Sequence, residues 1–368
     1  MDPTSRRVRL ADVAERAGVT KATVSRLLNQ DKALSIRPET RRRVLDAVAA
    51  LGYQPHAGAR ALARNETRAL ALIIPDLTNL TYSRIVRGAF RRAIEKGFVL
   101  LIAEDVTAPG VAVDGLAEEV PGTAADTAFA DLVSSRRVDG LIVASAQPGD
   151  SMVRILEEQR IPHVFVNRAI PDSNRNVTMD VAAAGDLVIR HLTGLGHRRI
   201  AHIAGPGEIL PSLERERAFL QSMAALGVDD PHVHRGAFSA EGGYRAALAM
   251  VAEDPGVTAI YVSTYVQAVG ALKALSDFGL RVPEDVSVVS FDDAPQADFL
   301  TPPLTSVAMP LTELGAAAVD ALVSQLAQQE PADVLLTTAP RLVLRASSAV
   351  APTRESLDLR TELSRTAT

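Results

Sequence analysis

Several residue types are missing from this chain of 368 residues, and each absence excludes a kind of structure. The sequence has no Cys and no Trp, so disulfide frameworks and thiolate metal sites are excluded. No window approaches the roughly 18 uncharged apolar residues that a membrane-spanning helix needs. The first residues, MDPTSRRVRLADV, lack the apolar stretch of a signal peptide. We therefore expect a cytoplasmic protein with no membrane partner.

Sequence signatures of the common enzyme classes are also missing. The chain has no Walker A loop, no GxSxG and no HExxH. His232 and His234 form a lone pair, which we interpret as a strand with both imidazoles facing solvent. The adjacent carboxylates Asp292 and Asp293 point to opposite faces if extended, which is poor geometry for an acid acting with a base. We predict no catalytic residues, no metal site and no cofactor.

Charge is distributed unevenly along the chain. Residues 1–64 contain 13 Lys or Arg and 6 Asp or Glu, a net charge of +7, whereas residues 65–368 contain 26 and 38, a net charge of −12. A basic head on an acidic body is typical of DNA binding. The length and the 47% hydrophobic content predict two or three compact units.

The stretch from Leu10 to Asn29 has the pattern of two short helices joined by a tight turn. Apolar residues recur at i, i+3, i+4 and i+7 and predict an amphipathic first helix; they are Leu10, Val13, Ala14 and Ala17. Gly18 can adopt the left-handed conformation that ends a helix, and Thr20 is a good N-cap for the next one. The second helix should run from about Lys21 to Asn29.

The second helix has two different faces. Val24, Leu27 and Leu28 should pack on the first helix. The opposite face is polar or small and suits a DNA major groove; it consists of Lys21, Ala22, Ser25, Arg26 and Asn29. This stretch alone also fits a helical corner in an ordinary domain, and the positive charge around it favours DNA binding.

These residues resemble the LacI-type transcription regulators. TKATVSRLLN is similar to the recognition helix of that family, and Arg41 to Leu62 is similar to its third helix and hinge. Similar blocks follow at Val138 to Gly140, Leu195 to Ala201 and Arg281 to Asp293, so the resemblance covers about residues 8 to 348. It implies DNA contacts from Thr20, Lys21, Ala22, Thr23, Ser25, Arg26, Asn29, Tyr53, Ala59 and Leu62.

Two basic or Ala-rich segments near the head have open interpretations. Residues 41–43 are all Arg and either form a solvated face or follow the phosphate backbone. Pro55 to Arg64 is a plain linker by its own pattern. The resemblance implies instead a hinge helix that folds on operator DNA and inserts Leu62 into the minor groove.

From Arg68 onward the pattern alternates between apolar strands and amphipathic helices, which predicts parallel sheets covered on both faces. The predicted strands are ALALIIPD, FVLLIAED, VDGLIVAS, PHVFVNR, Ile200 to Ala204, Ala259 to Val262 and Val286 to Phe291. The predicted helices are Tyr82 to Lys96, Asp180 to Thr193, Ser212 to Leu226, Gly242 to Ala252 and Val266 to Phe278. Two such sheets make two α/β lobes.

The resemblance implies a two-lobed, periplasmic-binding-protein-like effector domain behind an α-helical helix-turn-helix domain. It also implies three crossovers, near Asn167 to Ala169, Asp293 to Pro295 and Gln328 to Ala332. We predict a helix-turn-helix domain over residues 1–54, a hinge over 55–66 and an effector-binding and dimerisation domain over 67–350. The polar residues 351–368 should be a disordered tail, and Val106 to Ala125 a surface insertion.

A ligand of such sheets binds beyond the carboxyl ends of the strands. The candidate effector-binding residues lie at these ends; they are Asn79, Tyr82, Asn167, Arg215, Thr264 and Asp292. By the residues alone, Asp292 fits a turn cap, Arg215 fits an ordinary surface charge and Asn167 fits a backbone contact. The resemblance implies that Arg215 and Asp292 clasp ligand hydroxyls. Thr264 and Tyr265 stand where the family typically has Asn-Asp.

We therefore predict a dimeric DNA-binding transcription regulator, a repressor, that is switched by a small effector. The expected partners are near-palindromic operator DNA, a second copy of the chain and a carbohydrate effector. The alternative is a solute-binding module of periplasmic-binding-protein type without a DNA function. The basic head and the absence of a signal sequence favour the regulator.

Overall fold

The computed structural model describes residues 8–28, 34–53, 66–105, 107–108, 122–135, 137–227 and 231–352. The chain divides into two compact units, Met1–Arg68 and Ala69–Thr368. The predicted hinge and the predicted C-terminal tail fall almost wholly outside the described residues. The finer domain boundaries therefore stay a prediction.

The described part of the first unit contains three helices: α1 Leu10–Ala17, α2 Lys21–Leu28 and α3 Pro38–Leu51. Gly18 ends α1 in the left-handed conformation with φ of 62°. Thr20 Oγ1 accepts a hydrogen bond of 3.1 Å from the backbone N–H of Thr23, as expected of an N-cap. The buried core lies between all three helices and includes Val13, Val24, Leu27, Val44 and Tyr53.

Where the structure describes the second unit, it contains two six-stranded sheets of matching strand order, which confirms the two-lobed α/β fold. The first sheet has the order β11-β5-β4-β3-β1-β2 and the second β12-β10-β9-β8-β6-β7. The strands of the first sheet are β1 Ala69–Ile74, β2 Val99–Glu104, β3 Gly140–Val143, β4 His163–Val166, β5 Asn176–Thr178 and β11 Val334–Leu335. Those of the second are β6 Ile200–Ala204, β7 His232–Arg235, β8 Ala259–Val262, β9 Ser287–Phe291, β10 Thr305–Ala308 and β12 Arg341–Val343. All described strand pairs are parallel except β10 with β12.

Helices flank each sheet and bury its apolar strands. Those packed with the first sheet are α4 Leu80–Glu95, α5 Gly122–Ser134, α6 Ser151–Glu158 and α11 Leu311–Leu326. Those packed with the second are α7 Val181–Gly194, α8 Leu210–Ala225, α9 Ala240–Glu253 and α10 Tyr265–Asp277. We call the first group with its sheet the first lobe and the second group with its sheet the second lobe.

In the residues that the structure describes, the chain crosses between the lobes three times, but each crossover comes later than the sequence predicted. They lie between β5 and α7, between β10 and α11, and between β11 and β12. The predicted positions at 167–169, 293–295 and 328–332 were wrong because each lobe continues through a further short strand before the chain leaves. Strands β5, β10 and β11 have only 3, 4 and 2 residues and carry little periodicity.

A close helix pair joins α11 to the first lobe. A Cβ added at Gly88 of α4 would lie 1.8 Å from the backbone oxygen of Thr312, and one added at Gly315 of α11 would lie 2.0 Å from that of Ile85. Only glycine fits at these two positions. The helix that follows the second crossover is thereby held against the helix that begins at the cleft.

Two further expectations need correction. Helix α5 begins at Gly122, so the predicted insertion at 106–125 overlaps a helix, while residues 106 and 109–121 lie outside the described residues. The imidazoles of β7 do not both face solvent, because the end of α9 lies against them. His232 Nε2 is 3.2 Å from Asp254 Oδ2, and the His234 side chain is only 9% exposed beside Glu253.

Candidate DNA-binding surface and effector cleft

Helix α2 presents the predicted polar face on the surface of the first unit. Lys21, Ala22 and Arg26 are exposed, and Thr23 and Ser25 are partly exposed. Val24 and Leu27 on the other face are buried in the core. Arg41, Arg42 and Arg43 of α3 are exposed, which is compatible with both a solvated face and a phosphate contact. The predicted contacts Asn29, Ala59 and Leu62 lie outside the described residues.

Two of the predicted DNA contacts have structural roles within the unit. Thr20 is exposed, but its hydroxyl caps α2 and lies 2.9 Å from the hydroxyl of Thr23. Tyr53 is 8% exposed and packs into the three-helix core. The tyrosine ring therefore stabilises the unit, and a DNA contact from its hydroxyl stays a prediction.

The six predicted effector-binding residues line two adjoining cavities at the carboxyl ends of the strands. The arginine cavity, with a volume of about 40 Å³, is lined by Arg168 and Arg215. The aspartate cavity, with a volume of about 200 Å³, is lined by Asp292 and Asp293. Five of the six predicted residues line the arginine cavity, namely Asn79, Tyr82, Asn167, Arg215 and Thr264. Asp292 lines the aspartate cavity, and Asn79 and Thr264 line both.

Equivalent strands of the two lobes position the key side chains. Strand β4 in the first sheet and β9 in the second occupy the same place in the strand order. Each is followed by a residue in the left-handed conformation: Asn167 with φ of 62° and Asp292 with φ of 64°. Asn and Asp tolerate this conformation better than most residues do. The next residues, Arg168 and Asp293, are therefore structural equivalents of opposite charge.

Arg168 is buried, with 1% of its surface exposed. Its guanidinium donates hydrogen bonds to the carbonyl oxygen of Ala146 and, at 3.4 Å, to the hydroxyl of Tyr82. Its Nε has no hydrogen-bond partner. Burial lowers the pKa of Arg168, as expected for a charge removed from water.

Arg215 of α8 is 4% exposed and stacks on an aromatic ring. Its Nη1 donates a hydrogen bond of 3.0 Å to the carbonyl oxygen of Ser263. Its Cζ lies 4.2 Å from the ring centroid of Phe291, within the range of a cation–π interaction. Its Nε has no hydrogen-bond partner, so a donor is available to a ligand.

Asp292 combines one used and one unused oxygen. Its Oδ2 accepts a hydrogen bond of 2.5 Å from Thr81 Oγ1, whereas Oδ1 has no hydrogen-bond partner. Burial raises the pKa of the Asp292 carboxyl, and the nearby Arg215 and the Thr81 hydrogen bond oppose that effect. Asp293 also lines the aspartate cavity, and its Oδ1 lies 2.8 Å from Arg345 Nη1.

Asn79 and Thr264 begin helices at the cleft. The Asn79 side chain accepts a hydrogen bond from Thr81 N and caps α4. The Thr264 hydroxyl accepts from Gln267 N and donates to Gln267 Oε1, and so caps α10. The Thr264 hydroxyl is therefore already engaged by its own helix.

Among the cleft residues that sequence reasoning missed are Gln147 and Phe238. Gln147 lies beyond β3, and its Oε1 accepts a hydrogen bond of 3.1 Å from Leu210 N of the other lobe. Phe238 lies beyond β7 and lines both cavities. The rule that ligands bind beyond strand ends would have pointed to both residues, had it been applied to these two strands.

The buried histidines of the second lobe are part of its structure. His197 hydrogen-bonds to Thr258 and Ser287, and His202 to the carbonyl oxygen of Tyr261. Within the described part of the chain, no group of three His, Asp or Glu residues is arranged to hold a metal ion. No helix of that part is long and apolar enough to cross a membrane.

Comparison with known proteins supports these observations. A model of the lacI family of bacterial regulatory proteins matches residues 9–56, and a model of the periplasmic binding protein-like domain matches residues 189–348. The HTH-type transcriptional repressor PurR of Salmonella newport (strain SL254) is 32% identical over 351 residues, covering 94% of this chain and 98% of PurR.

Two solved structures extend the comparison. A lac repressor dimer bound to operator and the anti-inducer ONPF is 28% identical, with a TM-score of 0.79 over 94% of this chain and 100% of that one. The transcriptional regulator CelR in complex with cellobiose is 28% identical, with a TM-score of 0.68 over 93% of this chain and 100% of that one. This chain belongs to the LacI family of transcription regulators.

Proposed function

We propose that this protein is a repressor that binds a near-palindromic operator as a homodimer and is switched by a small effector in the cleft. The observation that carries the proposal is the exposed face of α2, where Lys21, Ala22 and Arg26 face outward while Val24 and Leu27 are buried. Donors on the outer face of the second helix of a helix-turn-helix motif can reach base edges in the major groove.

The number of helix-turn-helix motifs in the chain supports dimerisation. The described part of the first unit contains a single helix-turn-helix motif, and a dimer would present two of them to two half-sites. The similar lac repressor structure is a dimer bound to operator. The hinge with Leu62 would lie at the centre of such an operator.

The effector is proposed to bind the cleft from both lobes. Tyr82 and Asn167 belong to the first lobe, whereas Arg215 and Asp292 belong to the second, and all four line the two cavities. A ligand that contacts both lobes favours one relative orientation of them. Changing operator affinity tenfold requires about 1.4 kcal/mol of difference between the two states. We propose a sugar or sugar derivative, since CelR binds cellobiose.

The proposal includes no catalytic step and places the protein in the cytoplasm with the DNA. The similar PurR and lac repressor proteins are repressors. The alternative, a solute-binding module without DNA function, would leave the exposed face of α2 without a role.

A gel-shift experiment distinguishes these functions. The full chain should retard DNA taken from upstream of its own gene at concentrations that leave a shuffled sequence of equal length unbound. Arg16, an exposed residue of α1, provides the control variant. If Arg16→Ala keeps the shift and Arg26→Ala loses it, the result supports α2 as the helix that reads the DNA sequence. Equal binding to both DNAs by the wild-type chain would contradict the proposal.

A further inference from the structure

The charged residues that line the arginine cavity are Asp76, Arg168 and Arg215. Among the described residues, neither guanidinium forms an ion pair: the hydrogen-bond acceptors of Arg168 are a carbonyl and a phenol, and that of Arg215 is a carbonyl. The Asp76 carboxylate is engaged by its own turn, accepting hydrogen bonds of 2.7 and 2.6 Å from Thr78 N and Oγ1. The cavity therefore has two buried cations and no carboxylate bonded to either.

Buried guanidinium groups that form no ion pair favour the binding of an anionic ligand. A charge taken out of water is costly unless an opposite charge and further hydrogen bonds compensate for it. Arg168 and Arg215 each retain an Nε without a hydrogen-bond partner, and both side chains are more than nine-tenths buried. A carboxylate or phosphate accepts hydrogen bonds from guanidinium groups with matching geometry.

The aspartate cavity has the opposite character. It is lined by Asp76, Arg84, Asp292 and Asp293, and the unused Oδ1 of Asp292 is an acceptor without a donor. The two cavities share Asp76, Asn79, Thr81, Phe238 and Thr264 as lining residues. One ligand that occupied both would meet guanidinium donors at one end and a carboxylate acceptor at the other.

We propose that the effector is an anionic sugar derivative, whose carboxylate or phosphate group is bound by Arg168 and Arg215 and whose hydroxyl groups donate to Asp292. This inference rests on the proposed function and specifies the class of its effector. It also makes Arg168 a specificity-determining residue, because a neutral sugar offers that guanidinium no charged hydrogen-bond acceptor. The hydrogen bond from Arg168 to the hydroxyl of Tyr82, which lies within the first lobe, orients the guanidinium.

The test compares neutral and charged forms of the same sugar. Titration calorimetry of the full chain would use glucose, glucuronate and glucose 6-phosphate, then galactose, galacturonate and galactose 1-phosphate, with inorganic phosphate alongside and ionic strength held constant. We expect at least one acid or phosphate ester to bind at least about tenfold more tightly than its neutral parent, since hydrogen bonds between charged groups are the stronger ones. The carboxylate and phosphate arms identify which anion is preferred.

Variants assign the preference to the cavity. Arg168→Gln should remove the preference for the charged form, whereas Arg154→Gln, which removes an exposed arginine on α6, should keep it. Arg168→Lys retains a positive charge without the planar fork and should keep part of the preference if Arg168→Gln does not fold. In the wild-type chain, added sodium chloride should weaken binding of the anion and leave that of any neutral sugar unchanged.

Operator binding measured in parallel separates this inference from the proposed function. A neutral sugar that binds as tightly as its charged form, or no binding by any of the charged compounds, overturns the inference while operator binding is retained. Failure of the wild-type chain to bind any operator overturns the proposed function itself. Equal anion affinity in Arg168→Gln and wild type would also overturn the inference.

Discussion

Thr81 Oγ1 donates a hydrogen bond of 2.5 Å to Asp292 Oδ2 across the cleft. The two residues lie 211 positions apart in the chain and belong to different lobes. Both are buried, at 5% and 4% exposure. The bond therefore links lobe orientation directly to a residue that we propose binds the effector.

Replacing Thr81 by Val keeps the side-chain shape and removes the donor. We expect Thr81→Val to lower the free energy of unfolding by about 1–3 kcal/mol, because a buried carboxylate oxygen loses its partner. The lobes should also separate more readily, seen as a larger radius of gyration in small-angle scattering. Thr193→Val is the matched control, because its hydroxyl donates to Ile189 O within its own helix. Equal loss of stability in both variants, without a change of radius, would argue against an inter-lobe role for Thr81.

The charge of Asp292 should make stability depend on pH. Burial raises the pKa of the Asp292 carboxyl above its ordinary 3.8, so the folded state holds this proton more tightly than the unfolded state does. This tighter proton binding stabilises the folded state fully below pH 3.8, and the stabilisation is lost as the pH rises through the pKa of folded Asp292. Asp292→Asn should therefore gain stability relative to wild type as the pH rises across that window. Chemical unfolding at a series of pH values measures the difference, and a difference that shrinks with rising pH would refute the argument.

His202 should give stability the opposite dependence on pH. Burial lowers the pKa of His202 to about 4 from 6.5, so the folded state resists protonation while the unfolded state accepts it. Stability should be lost as the pH falls from 6.5 towards 4, by about 3 kcal/mol at most from this residue. His163 in the first lobe, whose pKa burial also lowers to about 4, should contribute independently.

The histidine effect is measured as the change of unfolding free energy between neutral and mildly acidic pH. His202→Gln and His163→Gln should each remove part of that change, and the double variant should remove the sum. A wild-type protein equally stable at both pH values would show that these imidazoles are not held neutral by burial.

The contact of α4 with α11 should not tolerate a methyl group. Gly88→Ala places a Cβ against the backbone of Thr312. It should lower the free energy of unfolding by about 3 kcal/mol or more, because the backbone cannot move aside as a side chain can. Gly194→Ala is the control, since a Cβ there meets nothing within 4 Å, and a helical Gly→Ala change should be neutral or stabilising by up to about 1 kcal/mol. Similar midpoints for both variants in urea unfolding would contradict the close packing.

Strands that form an uninterrupted apolar run were predictable from the sequence, and strands of two or three residues were not. Strand β1 (ALALII) and strand β8 (AIYV) are uninterrupted apolar runs that only a sheet covered on both faces can bury. Strand β5 (NVT) and strand β11 (VL) are too short for a pattern, and pairing with neighbours defines them. The crossovers were misplaced for that reason, although their number was right.

Parts of the cleft depend on contacts that no local pattern encodes. The strand-end rule and the family resemblance led to Arg215 and Asp292, which the fold brings to adjoining cavities. The sequence could not show that the Thr264 hydroxyl caps a helix or that the hydrogen-bond acceptors of Arg168 are all neutral. Both facts depend on where separate segments of the chain meet.

Selection of binding sites from a random DNA library by the full chain tests the central claim most directly. The account predicts enrichment of one motif made of two half-sites related by two-fold symmetry, as expected for a dimer that reads through α2. Arg26→Ala should relax the sequence preference at matching positions of both half-sites, at a cost of about 1–3 kcal/mol per contact. An unenriched library, or a motif without two-fold symmetry that Arg26→Ala leaves unchanged, would contradict it.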